Sequence, residues 1–418
     1  MNFAFSGEPS GNVTAPGSKS YSQRYILMSL LFGVPLTIHN FGYSEDELRA
    51  ISIANQCGLD VVSRSGTIDM SGSMRTPEEV FVGESATLFR LSLGGFSGLR
   101  ENIVFKLSES LFRRPHSQLI QAIESLGARF EWYGRRLRMD ARTLRNGNVA
   151  ITGNVSSQFI SALILMKAVM DDYNSEIHVD GGASSAGYVD ITADVLKRYG
   201  TQVSFKNGSY AVSPRAHVSH LEVTLEGDYS SAAFILVMGG VASESGVTIK
   251  GLRLGSLQPD IKILEILRQA GCYVSTGDGS VTVRKSALRG GVYDLDCCPD
   301  LALPVSVMAI FSEGDSVLNG ISRLRYKESD RVEGIRELVS SFGGVATVMD
   351  DSIKISPPAR VSAPDVLAFT EHRTVMAGIA ASICAGSGTV NKNIERVSKS
   401  FPGFLSSLAS LGISCREC

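Results

Sequence analysis

The sequence predicts an α/β fold made of six similar repeats in two domains. Three observations support this prediction: a length of 418 residues, six apolar segments with similar openings, and six glycines at a nearly constant spacing. At about 150 residues per domain, the length suits two or three domains. Hydrophobic residues make up 44% of the chain, which supplies a sizeable core and excludes a disordered protein.

Each of the six glycines follows a one-sided helix pattern, and neighbouring glycines lie 69 to 73 residues apart. They are Gly58, Gly127, Gly200, Gly271, Gly343 and Gly412. Glycine commonly ends a helix because it adopts a left-handed backbone conformation without the strain of a Cβ atom. The spacing therefore predicts six units of about 70 residues that together account for the chain.

Each unit opens with a polar or Gly/Ser-rich segment that leads into an apolar stretch. The six apolar stretches are residues 25–32, 88–94, 159–170, 232–241, 301–311 and 375–384. A stretch that is apolar on all sides is typical of a helix buried inside a domain. Short β-branched runs at 247–249, 281–283 and 353–355 indicate strands between the helices. A buried helix surrounded by copies of itself favours three units per domain, with a boundary near residues 226–228.

Composition excludes several classes of function. The formal charge of −2 argues against a nucleic-acid coat and against a polybasic membrane patch. The longest apolar runs fall short of the roughly 20 residues that a membrane-spanning helix needs. The N-terminus has neither a basic start nor an apolar stretch, so we expect no signal peptide. Seven cysteines at no framework spacing suit a reducing compartment, and we expect a cytoplasmic protein.

The polar openings are the expected place for anion binding, because the first turn of a helix presents free N–H groups. Cations at or beside the openings are Lys19, Arg24, Arg90, Arg113, Arg114, Lys327, Arg331, Arg373 and Lys399, and the serines there are Ser18, Ser20, Ser156, Ser157 and Ser185. Any one of them alone could be a solvated helix cap. Their recurrence on successive repeats favours convergence on one face and a ligand with more than one phosphate or carboxylate.

Two carboxylates, Asp300 and Glu328, stand among these cations. Glu328 and Asp330 could be acids of a first helical turn that the helix dipole favours. Alternatively, a carboxylate and a lysine in a closed cleft exchange protons with a substrate. The spacing alone leaves both interpretations open.

Seven sequence blocks resemble signatures of the 5-enolpyruvylshikimate-3-phosphate (EPSP) synthase family. In chain order they are residues 16–24 (PGSKSYSQR), 155–159 (VSSQF), 227–232 (GDYSSA), 299–301 (PDL), 325–331 (RYKESDR), 371–373 (EHR) and 398–402 (SKSFP). The resemblance implies two domains, each an inverse α/β barrel of three βαβαββ-type repeats. Residues 16–226 would form the shikimate 3-phosphate side. Residues 1–15 and 227–418 would form the domain that closes over the phosphoenolpyruvate site.

The resemblance also implies a reaction of the shikimate pathway, which leads to chorismate and the aromatic amino acids. The enolpyruvyl group of phosphoenolpyruvate would pass to the 5-hydroxyl of shikimate 3-phosphate by addition and elimination, giving EPSP and phosphate. This family needs no metal and no organic cofactor. We expect a cytoplasmic monomer whose partners are these two substrates, with no nucleic acid and no membrane.

Site residues follow from the resemblance position by position. Lys19, Asp300 and Glu328 would share the proton transfers. Shikimate 3-phosphate would contact Lys19, Ser20, Arg24, Ser156, Ser157, Gln158, Ser185, Tyr188, Asp300, Arg323 and Lys327. Phosphoenolpyruvate would contact Lys19, Ala86, Arg114, Gln158, Arg331, Arg373 and Lys399.

The chain departs from the family pattern in two places. The family's Asn-Ala-Gly-Thr loop is replaced by residues 84–87 (ESAT), so that Ala86 stands where glycine leaves room beside the phosphate of phosphoenolpyruvate. Its methyl group should disfavour the bulkier inhibitor glyphosate, and we expect weak glyphosate inhibition. Arg323 stands where asparagine is expected, which puts its contact with the substrate ring in question.

Two alternatives remain at this point. The related UDP-N-acetylglucosamine enolpyruvyl transferases share the fold but use a loop cysteine in the N-terminal half, where this chain has only Cys57. A non-catalytic paralogue that binds a phosphorylated ligand would explain the altered loop at 84–86. Retention of Lys19, Asp300 and Glu328 argues against it, because a binding protein has no need of proton-transfer groups.

Overall fold

The computed structural model describes residues 2–152, 156–181, 186–386 and 388–418. Contacts divide the chain into two compact units, which we call the continuous unit (Ser18–Leu225) and the split unit (Met1–Gly17 with Glu226–Cys418). No helix of the described residues is both long enough and apolar enough to cross a membrane.

Helices and strands alternate along the described residues. The α-helices are α1 (Lys19–Phe32), α2 (Glu45–Gln56), α3 (Ala86–Gly98), α4 (Glu109–Phe112), α5 (Ser117–Glu124), α6 (Ser157–Val169), α7 (Ala186–Arg198), α8 (Tyr229–Ala242), α9 (Ile263–Gln269), α10 (Ala302–Ile310), α11 (Arg331–Ser341), α12 (His372–Cys384) and α13 (Phe404–Ser410). Short 3₁₀ helices cover Pro259–Lys262, Pro299–Leu301, Ser322–Tyr326 and Ile394–Lys399.

The strands are β1 (Asn2–Ser6), β2 (Gly11–Thr14), β3 (Leu36–His39), β4 (Leu59–Arg64), β5 (Thr67–Gly72), β6 (Glu79–Gly83), β7 (Asn102–Leu107), β8 (Arg129–Tyr133), β9 (Arg136–Asp140), β10 (Val149–Thr152), β11 (Ile177–Asp180), β12 (Val203–Lys206), β13 (Ser209–Val212), β14 (Leu221–Thr224), β15 (Val247–Lys250), β16 (Tyr273–Gly277), β17 (Ser280–Arg284), β18 (Val292–Asp294), β19 (Ser316–Asn319), β20 (Val345–Val348), β21 (Ser352–Ser356), β22 (Val366–Leu367), β23 (Val390–Lys392) and β24 (Ser414–Glu417). Within the described residues they form six four-stranded sheets.

The six sheets share one topology, which confirms the predicted α/β class. In each sheet one parallel pair is followed by antiparallel pairing that ends in an edge strand, as in the order β6-β7-β9-β8. The chain order β6-α3-β7-α4-α5-β8-β9 is a βαβαββ unit in which the short α4 precedes α5, and β10 to β13 and β18 to β21 repeat this unit with their own helices.

Three sheets are completed by strands from elsewhere in the chain. In the continuous unit β14 pairs with β3, although it follows the last hairpin of that unit. In the split unit β2 pairs with β15, and β1 lies between β23 and β24. The sequence pattern did not reveal these pairings, because strand propensity does not specify a long-range partner.

The predicted helix ends are confirmed. All six recurring glycines have a positive φ, between +78° and +105°, and each follows the second helix of its repeat. The left-handed backbone explains why glycine occurs at these positions.

The first helix of each repeat lies in the core of its unit. Helix α8, for example, buries residues from Tyr229 to Gly240 on every side. Helices α3 and α6 approach backbone to backbone, since a Cβ atom at Gly94 would lie 2.1 Å from the carbonyl oxygen of Ala162. The polar side chains at the starts of these helices are therefore carried by rigid elements.

Candidate active site

The helix starts of the continuous unit hold the first group of predicted residues. Lys19 begins α1, and its Nζ lies 2.8 Å from the Oδ2 of Asp46 in the first turn of α2. Ser44 caps α2 in a capping box with Glu47, and the Ser22 hydroxyl donates to Glu47 Oε1 at 2.6 Å. Burial raises the pKa of Glu47 in spite of these hydrogen bonds. This network fixes α2 against α1 and holds the Lys19 ammonium at the start of both helices.

Arg24 is buried and donates hydrogen bonds to groups of α1 and α7. Its Nε donates to the Thr192 hydroxyl at 2.8 Å, Nη1 to the carbonyl of Ser20 at 2.7 Å and Nη2 to the carbonyl of Tyr188 at 3.2 Å. Burial lowers the pKa of Arg24 to about 10. Arg24 thus ties together two backbone segments that carry predicted substrate-binding residues.

Gln158 is held by groups from two other segments. Arg90 Nη1 donates to Gln158 Oε1 at 2.7 Å and to the Ser156 hydroxyl at 3.3 Å, and Gln158 Nε2 donates to the Thr87 hydroxyl at 2.8 Å. The Arg90 guanidinium also lies 4.7 Å from the ring centre of Phe159. Arg90 therefore orients the amide of Gln158. The sequence identified Arg90 only as a cation beside a polar opening and did not predict this contact.

The remaining predicted residues of this unit flank α3 and α5. Ala86 is the first residue of α3 and is buried behind its cap, Ser85, whose hydroxyl accepts the N–H of Leu88 at 3.3 Å. Arg114 is buried two residues before His116. Burial and the neighbouring Arg90 and Arg114 charges lower the pKa of His116 to about 3, so that its imidazole is neutral near pH 7. Ser157 is the buried first residue of α6, and Ser185 lies outside the described residues.

The split unit gathers most of its predicted residues around Asp300. One Asp300 oxygen, Oδ1, lies 2.7 Å from Arg331 Nη1 and 3.4 Å from Lys327 Nζ, and Oδ2 lies 3.2 Å from Arg373 Nη2. Burial opposes ionisation of Asp300, but the cations Arg373, Lys327 and Arg331 outweigh it and hold its pKa well below the usual range. Asp300 is consequently an acceptor of hydrogen bonds near neutral pH.

Arg331 is the centre of this cluster. Its side chain is 3% exposed, and its Nη2 contacts Glu328 Oε2 at 2.9 Å and Glu371 Oε1 at 3.1 Å in addition to the Asp300 contact of Nη1. Burial disfavours its charge, but the three carboxylates outweigh burial and raise the pKa of Arg331. Lys399 Nζ lies 4.0 Å from Glu328 Oε1.

Glu371 was part of a recognised block but had no predicted role. It caps α12 by accepting the N–H groups of Arg373 and Thr374, both at 2.9 Å, and its Oε1 lies 3.0 Å from His372 Nδ1. Burial lowers the pKa of His372 although Glu371 opposes that shift. An acidic residue directly before an apolar helix was the available signal, and it predicts the cap without predicting the contact with Arg331.

The split-unit cluster is suited to anions and to proton transfer. Four cations (Lys327, Arg331, Arg373 and Lys399) face three carboxylates (Asp300, Glu328 and Glu371). Arg323 lies apart from these contacts, because its Nη2 donates to Asp296 Oδ1 at 2.7 Å and to the Asp296 carbonyl. In the part of the chain that the structure describes, no group of His, Cys, Asp and Glu residues is arranged to hold a metal ion.

This fold is that of solved enolpyruvyl transferases. The EPSP synthase of Acinetobacter baumannii superposes with a TM-score of 0.81 at 20% identity and covers 100% of this chain and 99% of its own. The enolpyruvyl transferase NikO of Streptomyces tendae superposes with a TM-score of 0.78 at 15% identity and covers 99% and 98%.

Sequence comparison shows the family within this class. Residues 6–408 match the family described as EPSP synthase (3-phosphoshikimate 1-carboxyvinyltransferase). The 3-phosphoshikimate 1-carboxyvinyltransferase of Picrophilus torridus is 32% identical over 99% of each chain, and that of Thermoplasma volcanium is 32% identical over 96% of this chain and 95% of its own. The chain belongs to the EPSP synthase family, as the sequence motifs predicted.

Proposed function

We propose that this chain transfers the enolpyruvyl group of phosphoenolpyruvate to the 5-hydroxyl of shikimate 3-phosphate, giving EPSP and inorganic phosphate. The observation that carries the proposal is the contact of ionised Asp300 and of Glu328 with a buried arginine, beside the further cations Lys327, Arg373 and Lys399. Such a cluster binds anionic substrates and also contains groups that move protons.

The reaction needs a proton donor and a base. Protonation of C3 of phosphoenolpyruvate makes C2 electrophilic, and the 5-hydroxyl oxygen then bonds to C2 while its own proton is removed. In the second step C3 loses a proton, and the C2–O bond to phosphate breaks with its electron pair leaving on phosphate. Each step is helped by a positioned acid or base and by fixed charges around the developing ions.

In the split unit, Asp300, which its low pKa keeps ionised, accepts the hydrogen bond of the attacking hydroxyl and takes up its proton as the oxygen bonds to C2. Glu328 exchanges protons with the reacting carbons, and Lys327 binds the ring hydroxyls together with Asp300. Arg331, Arg373 and Lys399 bind the carboxylate and phosphate of phosphoenolpyruvate. All these side chains except Lys327 are at most 21% exposed, and a desolvated site strengthens charge interactions.

In the continuous unit, Lys19 shares the proton transfers with Glu328, and Ser20, Ser156, Ser157 and Tyr188 bind shikimate 3-phosphate. Arg24 supports this group through the Ser20 and Tyr188 carbonyls. Gln158, whose amide is oriented by Arg90, contacts both substrates, and Ala86 and Arg114 contact phosphoenolpyruvate. The role of Ser185 and the division of the substrates between the two domains stay predictions. So do the cytoplasmic location and the monomeric state.

The test is release of inorganic phosphate from phosphoenolpyruvate, measured with shikimate 3-phosphate, without it, and with UDP-N-acetylglucosamine in its place. We expect release only with shikimate 3-phosphate, together with a product heavier by one enolpyruvyl group. Release with the nucleotide sugar instead would assign the chain to the other acceptor. No release, despite binding of shikimate 3-phosphate, would show a protein that binds without catalysis.

A matched pair of variants of α11 links this activity to the cluster. Arg331→Gln removes the buried guanidinium, whereas Arg336→Gln changes an arginine that is 52% exposed and pairs with Glu333. Activity should be lost in the first variant and kept in the second. Equal activity in both variants would contradict the assigned site.

A further inference from the structure

Two segments of the split unit run side by side before they reach the residues assigned to catalysis. Strands β18 and β19 are parallel, and Asp294 pairs with Asn319 at their ends. Beyond the strands, the N–H of Leu295 donates to the carbonyl of Asn319 at 2.9 Å. The first segment continues to Asp300 and the second to Lys327 and Glu328, so that the spacing of these segments sets the geometry of the cluster.

Arg323 connects the two segments ahead of the cluster. Its Nη2 donates to Asp296 Oδ1 at 2.7 Å and to the carbonyl of Asp296, and its side chain is 17% exposed. Arg323 and Asp296 are 27 residues apart in the chain. Lys327 and Asp300 are also 27 residues apart in the chain, and their Nζ and Oδ1 atoms lie 3.4 Å from each other. The two ion pairs are therefore successive links between the same two segments, four residues apart on each.

The second segment is anchored independently of Arg323. The N–H of Gly320 donates to the Asp351 carbonyl at 2.9 Å, and the N–H of Ser322 donates to Asp351 Oδ1 at 2.8 Å. Gly320 has φ +74°, and a Cβ atom there would lie 2.5 Å from the backbone nitrogen of Asp296. The segments thus touch through backbone atoms, and Arg323 extends from the anchored segment to hold the peptide of Asp296.

We propose that Arg323 is a positioning residue, which holds the backbone at Asp296 so that Asp300 stays among its cations. The inference rests on the proposed function, since it concerns how Asp300 is placed for that reaction. It replaces the direct contact with the substrate ring that the family resemblance implied for this position. Arginine fits this role because its Nη2 carries two N–H groups and donates to both the carboxylate and the carbonyl of Asp296.

A positioning role and a substrate contact have different kinetic consequences. Loss of a ground-state contact raises KM for shikimate 3-phosphate, whereas misplacement of Asp300 lowers kcat. Misplacement also weakens the contacts of Asp300 with Arg373, Lys327 and Arg331, while the repulsion by Glu328 remains. The pKa of Asp300 should therefore rise when Arg323 is replaced. As a result, the acidic limb of the plot of kcat against pH should move to higher pH.

The experiment compares Arg323→Met, Arg323→Lys, Asp296→Ala and the double variant Arg323→Met with Asp296→Ala. Arg325→Met is the matched control, because Arg325 lies on the same 3₁₀ helix and is 45% exposed. We expect kcat to fall about tenfold in Arg323→Met, with KM for shikimate 3-phosphate changed less than about threefold. Arg323→Lys should recover part of the loss. The double variant should be no slower than the slower single variant, because the two residues act through one contact.

Hydrogen exchange of residues 294–302 supplies a readout that does not depend on activity. Exchange should accelerate in Arg323→Met and stay at the wild-type rate in Arg325→Met. Unchanged exchange, a rise in KM with kcat unchanged, or additive effects in the double variant would each overturn the proposal. If wild type shows no transfer, the proposed function fails, while the exchange comparison still decides whether Arg323 holds the segment.

Discussion

Removal of Arg331 tests the electrostatics of the cluster. The side chain is 3% exposed and contacts three carboxylates at 2.7, 2.9 and 3.1 Å. Breaking a buried ion pair by removing one partner typically costs about 3–5 kcal/mol. In Arg331→Gln, however, Asp300 keeps Lys327 and Arg373, and Glu371 keeps its backbone donors. We therefore expect a loss of about 3 kcal/mol in the free energy of unfolding at pH 7, at the lower end of that range.

The loss should depend on pH in a defined direction. Against the effect of burial, the pKa of Asp300 is depressed in the folded chain by Arg373, Lys327 and Arg331, and the pKa of Glu371 is depressed by His372 and Arg331. Their contribution to stability is present above the unfolded pKa of about 4 and is lost as pH falls through the folded pKa. In Arg331→Gln these pKa values rise, so that the carboxylates take up protons more readily in acid. The difference in the free energy of unfolding between wild type and variant should accordingly become smaller below about pH 4.

The assay is guanidinium unfolding followed by circular dichroism at pH 7 and at pH 3, with Arg336→Gln as control. The control should stay within about 0.5 kcal/mol of wild type, because exposed pairs contribute little. A loss below about 1 kcal/mol at pH 7, or an equal loss at both pH values, would refute the reasoning that Arg331 neutralises buried carboxylates.

Three further predictions concern catalysis, inhibition and folding. Glu328→Gln should lower kcat by about 10²–10⁴-fold while calorimetry still detects binding of shikimate 3-phosphate, and unchanged turnover would remove Glu328 from the mechanism. Ala86→Gly should strengthen glyphosate inhibition in competition assays against phosphoenolpyruvate, and potent inhibition of the wild type would contradict the assigned effect of the methyl group. Lys167→Met should cost about 3 kcal/mol in denaturant unfolding, since Lys167 and Asp172 pair at 2.8 Å and are fully buried; a cost under about 1 kcal/mol would show that the pair is dispensable.

Local sequence patterns were sufficient to predict the repeat structure. The recurring glycines end helices with positive φ, and the all-apolar stretches form buried helices such as α6 and α8. Both properties depend on a few neighbouring residues. The pairing of β1 between β23 and β24 depends instead on segments nearly the whole chain apart, and no local pattern specifies it.

The same distinction applies to the site. Motif blocks indicated which side chains carry the chemistry, and the structure brings Asp300, Lys327 and Glu328 into contact with one another or with Arg331. Spacing could not show that Arg24 donates to Thr192, 168 residues away, since that contact follows from helix packing. It also could not show that Arg323 reaches Asp296, because a 3₁₀ helix determines its direction.

Deuterium incorporation from solvent tests the central claim most directly. The reaction is run in D₂O with phosphoenolpyruvate and shikimate 3-phosphate, and the product is analysed by mass spectrometry and NMR. Addition of a solvent deuteron to C3, followed by loss of a proton or deuteron from the same carbon, predicts EPSP that carries deuterium in its enolpyruvyl methylene group. A product of enolpyruvyl mass without deuterium, or no product at all, would contradict the account.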